Sequence, residues 1–279
     1  LVFQTQGIGS MPALELWMNG EHVGTWSVDR HGQHRLNYAS SWIRSSAARP
    51  LSLSLPITIG GAEHRGDVVA NYFDNLLPDN QALRERLAVR FRTRSLEPFA
   101  LLSAIGRDCV GAVQLLPEGV PPEGWDRVQA ERLTTSQVER LLRAASTSAP
   151  LGLGEDHDEF RISIAGAQEK TALLNYGGQW HIPVGATPTT HILKLPLGLV
   201  GNLRADMNDS VENEWLCLQL LKALGLPAAN AAMAKFGDQR VLVVERFDRN
   251  WQGVEPGQAR KQLDQALDFR SGDGLGHRR

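Results

Sequence analysis

The order of hydrophobic periods in the second half of the chain constrains its fold more than any other feature. Strand-like patterns come first, then one helical pattern, then two more strand-like patterns. In order, the segments are Phe160–Ile164, Lys170–Tyr176, Gln179–Ile182, His191–Leu195, the helix Val211–Leu224, and two strands flanking Gly237-Asp238, the second being Arg240–Phe247. Because Gly225 and Pro227 are typical helix stop signals, the helix should end there. This order predicts a small α+β domain over residues 159–250.

The first part of the chain predicts a separate α+β domain over residues 11–118. Asn19-Gly20, between two apolar-rich arms, is the typical sequence of a two-residue type I′ hairpin turn. Further strands are predicted at His34–Tyr38, Leu51–Ile57 and Cys109–Leu116, and helices within 68–91, where Pro78 separates two of them, and at Phe99–Ile105.

Residues 119–158, between the two domains, predict one helix and a linker. Ser136 and Glu139 have the spacing of a capping box, so the helix should begin at Ser136 and end near Ala145. Residues 146–158 are rich in Ser, Gly, Pro and acidic side chains, which is typical of a linker. Residues 1–10 show no strong period, and we expect them to lie upstream of a natural start at Met11.

Composition narrows the range of partners and environments. The 279 residues carry a formal net charge of −2, so the overall charge gives no reason to expect nucleic-acid or membrane binding. No apolar run approaches the roughly 18 residues of a membrane span, and no segment is built like a signal peptide. Cys109 and Cys217 lie far apart in apolar sequence, without metal-ligand spacing. They predict two reduced core thiols, no metal site and a cytoplasmic protein.

Lys194, in the apolar run HILKLP, and Glu214, in the predicted helix, form a candidate ion pair. Burying a lysine ammonium is costly without a partner. At helical spacing Glu214 falls within the apolar stripe from Val211 to Leu221, and a carboxylate directed into an apolar face needs a cation. Two interpretations stay open. Both side chains reach water, or the pair holds a lysine that binds nucleotide phosphates.

The loop from Ser163 to Lys170 and the strand end Glu245–Phe247 are the other candidates for ligand contact. The loop has neither the GxxxxGK[ST] nor the GxGxxG pattern, but its small residues would let backbone N–H groups approach phosphates. An ordinary hairpin turn is the alternative. Glu245–Phe247 follows an apolar strand, where backbone groups could hold a base, although strand ends followed by polar turns are common. The order of all four features is what makes the set informative.

Seven runs of the sequence resemble the HipA family, the serine/threonine-kinase toxins of bacterial toxin–antitoxin modules. They span roughly residues 11–250 and read RPLSLSLP, FDNLLPD, IGRDCVGAVQLLPE, FRISIAGAQEKTALL, TPTTHILKLP, VENEWLCLQLLKALGL and VERFDR. The resemblance implies an α+β fold with a HipA N-terminal subdomain followed by a protein-kinase-like N-lobe, and ATP and Mg²⁺ as cofactors.

Roles for individual residues also follow from the resemblance. Ser163 matches the autophosphorylated serine of the family. The positions that match its ATP-binding residues are Ala165, Gly166, Ala167, Gln168, Glu169, Lys170, Lys194, Glu245, Arg246 and Phe247. Glu214 as the partner of Lys194 rests on the helical spacing. The implied partners are a HipB-like helix-turn-helix antitoxin, operator DNA through that complex, and a protein substrate of the aminoacyl-tRNA synthetase class.

The chain departs from the family pattern after Trp251. Residues 251–279 are polar and glycine-rich, and Asp273 lacks the His, Lys and Asn that follow the family's catalytic aspartate. We therefore expect a non-homologous tail, from a frameshift, a truncation or a natural short variant, and a missing C-lobe with its catalytic base and metal ligands. Such a chain should be catalytically inactive. The alternatives are a non-catalytic module that binds a HipB-like antitoxin and an unstable product without function.

Overall fold

The computed structural model describes residues 12–58, 60–146, 168–200, 204–251 and 262–263. These residues form two mixed α/β units, each built on an antiparallel sheet, which we name the N-terminal unit (12–117) and the C-terminal unit (130–251). No helix among the described residues has the length and apolar character needed to cross a membrane.

The sheet of the N-terminal unit is built outward from the predicted hairpin. Its strands are β1 (Ala13–Met18), β2 (Glu21–Val28), β3 (His34–Tyr38), β4 (His64–Arg65) and β5 (Val113–Pro117), in the spatial order β4-β3-β2-β1-β5. Asn19 and Gly20 have φ angles of 49° and 80°, the two positive values that a type I′ turn requires. The predicted hairpin is therefore confirmed.

Four helices complete the N-terminal unit, and three of them fall where the helical pattern predicts. They are α1 (Ser40–Arg44), α2 (Asp67–Asp74), α3 (Gln81–Phe91) and α4 (Pro98–Ile105). Pro78 separates α2 from α3, as expected, and the side chain of Asn80 accepts the backbone N–H groups that open α3. Apolar side chains of α2 and α4 join those of the sheet in one core, in which the rings of Trp26 and Phe73 stack at 3.7 Å.

The strand predicted at Leu51–Ile57 is wrong. The segment turns instead, with a single bridge between Ser52 and Leu55. The hydroxyl of Tyr38 accepts the N–H of Leu51 and donates to the carbonyl of Leu55, so it satisfies backbone groups that a ladder would otherwise pair. The apolar alternation is real, because Leu51 and Leu55 are buried while Leu53 is exposed, but it does not require a strand.

The strand predicted at Cys109–Leu116 begins later than expected. A short 3₁₀ turn covers Val110–Ala112, where Gly111 has a φ of 77°. The N–H of Gly111 donates to the carboxylate of Asp248 at 3.0 Å, which pulls this stretch out of the sheet. The prediction of two core thiols holds for Cys109 only, since Cys217 is exposed.

The C-terminal unit contains the predicted order of three strands, one helix and two strands, with additions at the edges. Its main sheet has the order β12-β13-β9-β7-β8-β6. The strands are β6 (Ala130–Arg132), β7 (Lys170–Tyr176), β8 (Gln179–Pro183), β9 (His191–Lys194), β12 (Ala231–Phe236) and β13 (Gln239–Glu245). Two small hairpins pair β10 (Gly198–Val200) with β11 (Ala205–Met207) and β14 (Asn250–Trp251) with β15 (Gln262–Leu263). The predicted strand Phe160–Ile164 and the linker after residue 146 lie outside the described residues.

Two helices cover opposite faces of this sheet. Helix α5 (Thr135–Ser146) shares a core with Leu193 of β9, whereas α6 (Ser210–Ala223) reaches the neighbouring Lys194. Because successive side chains of a strand point to opposite faces, α5 and α6 lie on different sides. β6 and α5 therefore belong to the layers of the C-terminal unit, although they come from the segment expected to connect the two domains.

The capping box of α5 is not the predicted one. Thr134 and Gln137 form it: the N–H of Gln137 donates to Thr134 Oγ1 at 3.3 Å, and the N–H of Thr134 donates to Gln137 Oε1 at 2.8 Å. Ser136 lies inside the helix, so the sequence prediction was wrong by two residues. Several candidate caps, Thr134, Thr135 and Ser136, follow one another here, and spacing alone does not choose between them.

Candidate functional site

Lys194 and Glu214 form the ion pair that their spacing predicts. Lys194 is the last residue of β9, and Glu214 lies in the second turn of α6. Lys194 Nζ lies 2.6 Å from Glu214 Oε1, and the two side chains are 24% and 35% exposed. The pair is therefore partly shielded but reachable by a ligand. The predicted contact between the two side chains is confirmed, and the binding of nucleotide phosphates by Lys194 stays a prediction.

Helix α6 buries less of its apolar stripe than its sequence predicts. Val211 is buried, but Leu221 at the other end is 38% exposed, and Leu220 and Leu224 are exposed further still. The helix ends as predicted, because Gly225 has a φ of 72° and Leu226 N–H donates to the carbonyl of Leu221. The last turn of α6, residues 220–223, is thus exposed to solvent, whereas Glu214 lies in the partly buried part of the helix.

Lys170 stands directly beside Lys194 in the sheet. The two residues are Cα partners in the antiparallel pairing of β7 and β9, so their side chains share one face. Burial, followed by the charge of Lys194, lowers the pKa of Lys170 below its ordinary value. In the described part of the chain Lys170 has no ion pair within 4 Å, whereas Lys194 has Glu214. The charges of Asp79 and Glu214 act in the opposite direction but do not offset the two effects that lower the pKa of Lys170.

The end of the predicted phosphate loop is fixed to both units. Gln168 donates from Nε2 to the carbonyl of Leu195 at 2.6 Å, and Leu195 N–H donates to the carbonyl of Glu169. The carboxylate of Glu169 pairs with Arg86 of α3 at 2.7 Å. Ser163, Ala165, Gly166 and Ala167, the remaining candidates in this loop, lie outside the described residues.

The strand end Glu245–Phe247 presents three different environments. Glu245 accepts from Asn230 Nδ2 at 3.1 Å, Arg246 is buried, and Phe247 is 67% exposed. The backbone N–H groups of Glu245 and Arg246 donate to the carbonyls of Asn230 and Thr190. The side chain of Arg246 is therefore directed into the protein, away from any ligand at the surface of this segment.

Arg246 belongs to a buried network of two arginines and two aspartates between the units. Its guanidinium contacts Asp108 at 3.0 Å and Asp248 at 2.9 Å, and Arg249 contacts the same carboxylates at 2.6 and 2.7 Å. All four side chains are between 2% and 7% exposed. The positive and negative charges are equal in number, which offsets the cost of removing them from water.

Hydrogen bonds and pKa directions show how tightly this network is held. Burial by itself would raise the pKa of Asp108, but the charges of Arg246 and Arg249 outweigh it and lower that pKa below its ordinary value. Burial also raises the pKa of Asp248, but the same two arginines outweigh it and lower that pKa to about 2. Thr189 donates to Asp108 from both N and Oγ1, at 2.9 and 2.7 Å. Both carboxylates therefore stay ionised in the folded protein at neutral pH.

Sequence reasoning missed Arg86, Asp108, Asp248 and Arg249 as parts of this region. A partial signal was present, since Asp108 follows a helix with a strongly apolar sequence, and Arg246, Asp248 and Arg249 follow a buried strand. Charges at such positions need partners when they are buried. The sequence does not say that these partners lie 138 to 141 residues apart.

Comparison with known families agrees with this architecture. A model described as the HipA N-terminal domain matches residues 14–116, and a model described as the HipA-like C-terminal domain matches residues 162–272. The chain belongs to the HipA family. The HipA C-terminal match runs through residue 272, so it extends into the segment after residue 250, for which the sequence pattern predicted a non-homologous tail.

Individual HipA-family relatives give the same result. A Sinorhizobium fredii protein, Y4mE, whose name describes it as a candidate kinase, is 34% identical over 239 residues, which are 85% of this chain and 54% of the relative. The serine/threonine-protein kinase toxin HipA of Shewanella oneidensis is 29% identical over 239 residues, 85% of this chain and 50% of that protein. The chain thus spans about half the length of the curated relatives it matches.

A solved HipA structure shares the fold. A chain from the Shewanella oneidensis complex of HipA, HipB and operator DNA superposes with a TM-score of 0.63 at 28% sequence identity, covering 90% of this chain and 53% of that one. The mixed α/β architecture predicted from the sequence is therefore confirmed. The expectation that a C-lobe is missing is not confirmed by these matches.

Proposed function

We propose that this chain carries the nucleotide-binding part of a HipA-type serine/threonine kinase and binds ATP beside the Lys194–Glu214 pair. The ion pair between a lysine at the end of β9 and a glutamate of α6 carries the proposal. In protein kinases a lysine of this kind binds the phosphates, and the glutamate of the following helix holds it. The 2.6 Å contact and its partial exposure suit that role.

The charge balance supports a phosphate ligand. Lys170 and Lys194 stand side by side, and Glu214 pairs closely with Lys194 alone. Asp79 and Glu214 act on Lys170 only from beyond ion-pair distance. Like charges that face each other across a sheet are unfavourable. The phosphates of a nucleotide would add negative charge beside Lys170, which favours an anion at this place over an apolar ligand.

The segment Glu245–Phe247 supports a role in holding the base through its backbone. Among the described residues, the N–H groups of Glu245 and Arg246 already have partners, whereas no hydrogen bond engages that of Phe247. We assign the base contact to the backbone of Phe247, with its exposed ring beside it. The side chain of Arg246 has no part in this contact because it belongs to the buried network.

The family resemblance extends the proposal to cofactor and substrates. ATP fits the residues described above. Mg²⁺ is expected from the family, but no group of three or more His, Cys, Asp or Glu side chains in the described residues forms a metal site, so the proposal concerns the nucleotide alone. The proposed acceptors are a protein hydroxyl, in the aminoacyl-tRNA synthetase class, and Ser163 of this chain. For the 279 residues by themselves we propose nucleotide binding without phosphoryl transfer, because Asp273 lacks the motif of the family's catalytic aspartate.

Calorimetric titration of the purified chain with ATP, with and without Mg²⁺, tests the binding proposal. Lys194→Ala should abolish binding, and Lys235→Ala, which removes an exposed lysine of β12, should leave it unchanged. Absence of ATP binding by a chain that melts cooperatively would overturn the proposal. Phosphate incorporation into Ser163 in the same preparation would overturn the part that denies transfer.

Binding of a HipB-like antitoxin is a second candidate function. The solved relative belongs to a complex of HipA, HipB and operator DNA, and this chain covers 53% of the matched protein. A pull-down with the cognate antitoxin tests it, with Lys194→Ala as a matched variant. Capture of the antitoxin by both forms would show a function independent of the nucleotide site. Failure of both to bind would remove this candidate.

A further inference from the structure

The N-terminal unit contacts both ends of the nucleotide site. At one end Arg86 of α3 pairs with Glu169, in the last part of the predicted phosphate loop and next to Lys170. At the other end Asp108, between α4 and β5, pairs with Arg246 and Arg249 on either side of Phe247. The two partners are 83 residues apart in sequence for Arg86 and Glu169 and 138 residues apart for Asp108 and Arg246. The two contacts use separate side chains.

We propose that Asp108 and Arg86 are positioning residues, through which the N-terminal unit fixes the base-contacting segment and residues 168–170 at the start of β7. This inference rests on the proposed function, because it takes Glu245–Phe247 and the segment 168–170, with Lys170, as places where a nucleotide binds. Neither residue touches the nucleotide. Each acts through a charged partner next to a residue that does.

The geometry at Asp108 explains how one carboxylate fixes the segment. Arg246 is held by Asp108, by Asp248 and by the carbonyl of Cys109, and Arg249 is held by the same three groups. The two arginines bracket Phe247, so the backbone between them has little freedom to shift. Charge-assisted hydrogen bonds between buried groups are strong and directional. Loss of the Asp108 charge therefore weakens the attachment of both arginines, which Asp248 and the carbonyl of Cys109 still hold.

The geometry at Arg86 is simpler and independent. Its side chain is 24% exposed, and it approaches Glu169 from the N-terminal unit. Arg84 lies on the same helix but pairs with Asp74 inside its own unit. Arg84→Ala is therefore a matched control that removes an arginine and an ion pair from α3 without touching the loop.

Hydrogen–deuterium exchange on the 279-residue chain, read by mass spectrometry, tests the positioning directly and needs no ligand. Asp108→Asn should raise exchange at least about threefold in peptides covering 241–251 but not in those covering 168–176. Arg86→Ala should do the reverse, and Arg84→Ala should change neither segment. If Asp108→Asn does not fold, Thr189→Val is the alternative variant, because it keeps all four charges and removes two hydrogen bonds of the network. It should raise exchange in 241–251 by a smaller factor. Unchanged exchange in 241–251 in a folded variant would overturn the role of Asp108, and unchanged exchange in 168–176 would overturn that of Arg86.

Ligand titrations then separate positioning from loss of stability. Asp108→Asn should weaken the binding of adenosine and of ATP by a similar factor, about tenfold, because the base contact is disturbed. Arg86→Ala should weaken ATP binding by about tenfold and leave adenosine binding unchanged. Equal losses for both ligands in both variants would indicate a purely structural role and contradict the proposal. If the unsubstituted chain binds no ATP, the proposed function fails, and the exchange result alone decides whether the N-terminal unit fixes these segments.

Discussion

At the scale of single residues, Glu214 decides how the ammonium of Lys194 is held. The pair is partly exposed, so solvent screens it, and its contribution to folding stability is small. In the proposed nucleotide site we expect its contribution to ligand binding to be larger, because a lysine directed by a carboxylate does not have to be ordered when the phosphates arrive. Under this proposal the glutamate serves orientation more than stability.

Glu214→Gln should weaken ATP binding by about tenfold, equivalent to about 1.4 kcal/mol, while changing the free energy of unfolding by less than about 1 kcal/mol. The amide keeps the size of the side chain but loses the charge that holds Lys194. Glu212→Gln, two residues earlier and paired with Arg240 at the surface, is the control and should bind ATP normally. Equal weakening by both substitutions would contradict the specific role of Glu214.

We expect nucleotide binding to be accompanied by the uptake of a proton at Lys170. Its pKa is lowered by burial and by Lys194, so at a pH just below the ordinary lysine value of 10.5 part of this side chain is neutral in the free protein. Phosphates beside it would favour the charged form, and a proton should be taken up. Calorimetric titrations in buffers of different ionisation enthalpy measure this uptake, which Lys170→Met should remove and Lys235→Met should preserve. Uptake that survives Lys170→Met would assign the proton to another group.

At the scale of elements, helix α5 shows how local sequence and tertiary position share control. Its apolar side packs on the sheet through Val138, Leu141 and Leu142, and the sequence predicted this helix correctly. Its first turn is set by Thr134 and not by Ser136, because Thr134 is where the chain leaves the sheet edge: Leu133 N–H still donates to the carbonyl of Trp180. Thr134 is therefore the N-cap of α5 because it is the first residue after the chain leaves the sheet.

Thr134→Ala should lower the free energy of unfolding by about 1 kcal/mol, because it removes the oxygen that accepts the N–H of Gln137. Ser136→Ala should change it by less than about 0.5 kcal/mol, since that side chain is exposed within the helix. Urea unfolding of both variants measures the difference. A larger loss for Ser136→Ala would return the cap to the position predicted from sequence.

At the scale of the whole molecule, we expect the buried network between the two units to make the stability of the fold depend on pH. The pKa of Asp248 is about 2 in the folded protein against an ordinary value of 3.8. For a group with a lowered folded-state pKa, the stabilisation is fully present above the ordinary value and is lost as the pH falls toward the folded-state value. Asp108, whose pKa is also lowered, acts in the same direction.

The free energy of unfolding should therefore fall by on the order of 2 kcal/mol between pH 4 and pH 2 through Asp248 alone. Urea unfolding at several pH values measures this slope. Asp248→Asn should be less stable at neutral pH, because two buried arginines lose a partner, and its slope in the acid range should be shallower. Asp126→Asn, an exposed aspartate, should follow the unsubstituted chain. An unchanged acid slope in Asp248→Asn would show that the network does not control acid stability.

The amino-acid sequence by itself determined the features that depend on near neighbours. The Asn19-Gly20 turn, most of the predicted helices, the succession of strands and helix along the C-terminal unit and the Lys194–Glu214 contact follow from turn chemistry, periodicity and one short connection of 20 residues. Family membership also followed from short runs of sequence. These patterns act over a few residues, where backbone geometry leaves few alternatives.

Only the tertiary structure decided the features that depend on distant partners. Leu51–Ile57 alternates like a strand but turns, because the hydroxyl of Tyr38 takes up its backbone groups. Asp108 finds Arg246 and Arg249, and Arg86 finds Glu169, because the two units pack together and not because their spacing requires it. A charged residue in an apolar part of the sequence indicates that a partner is needed. Which residue becomes the partner depends on which surfaces come together when the sheets and helices pack.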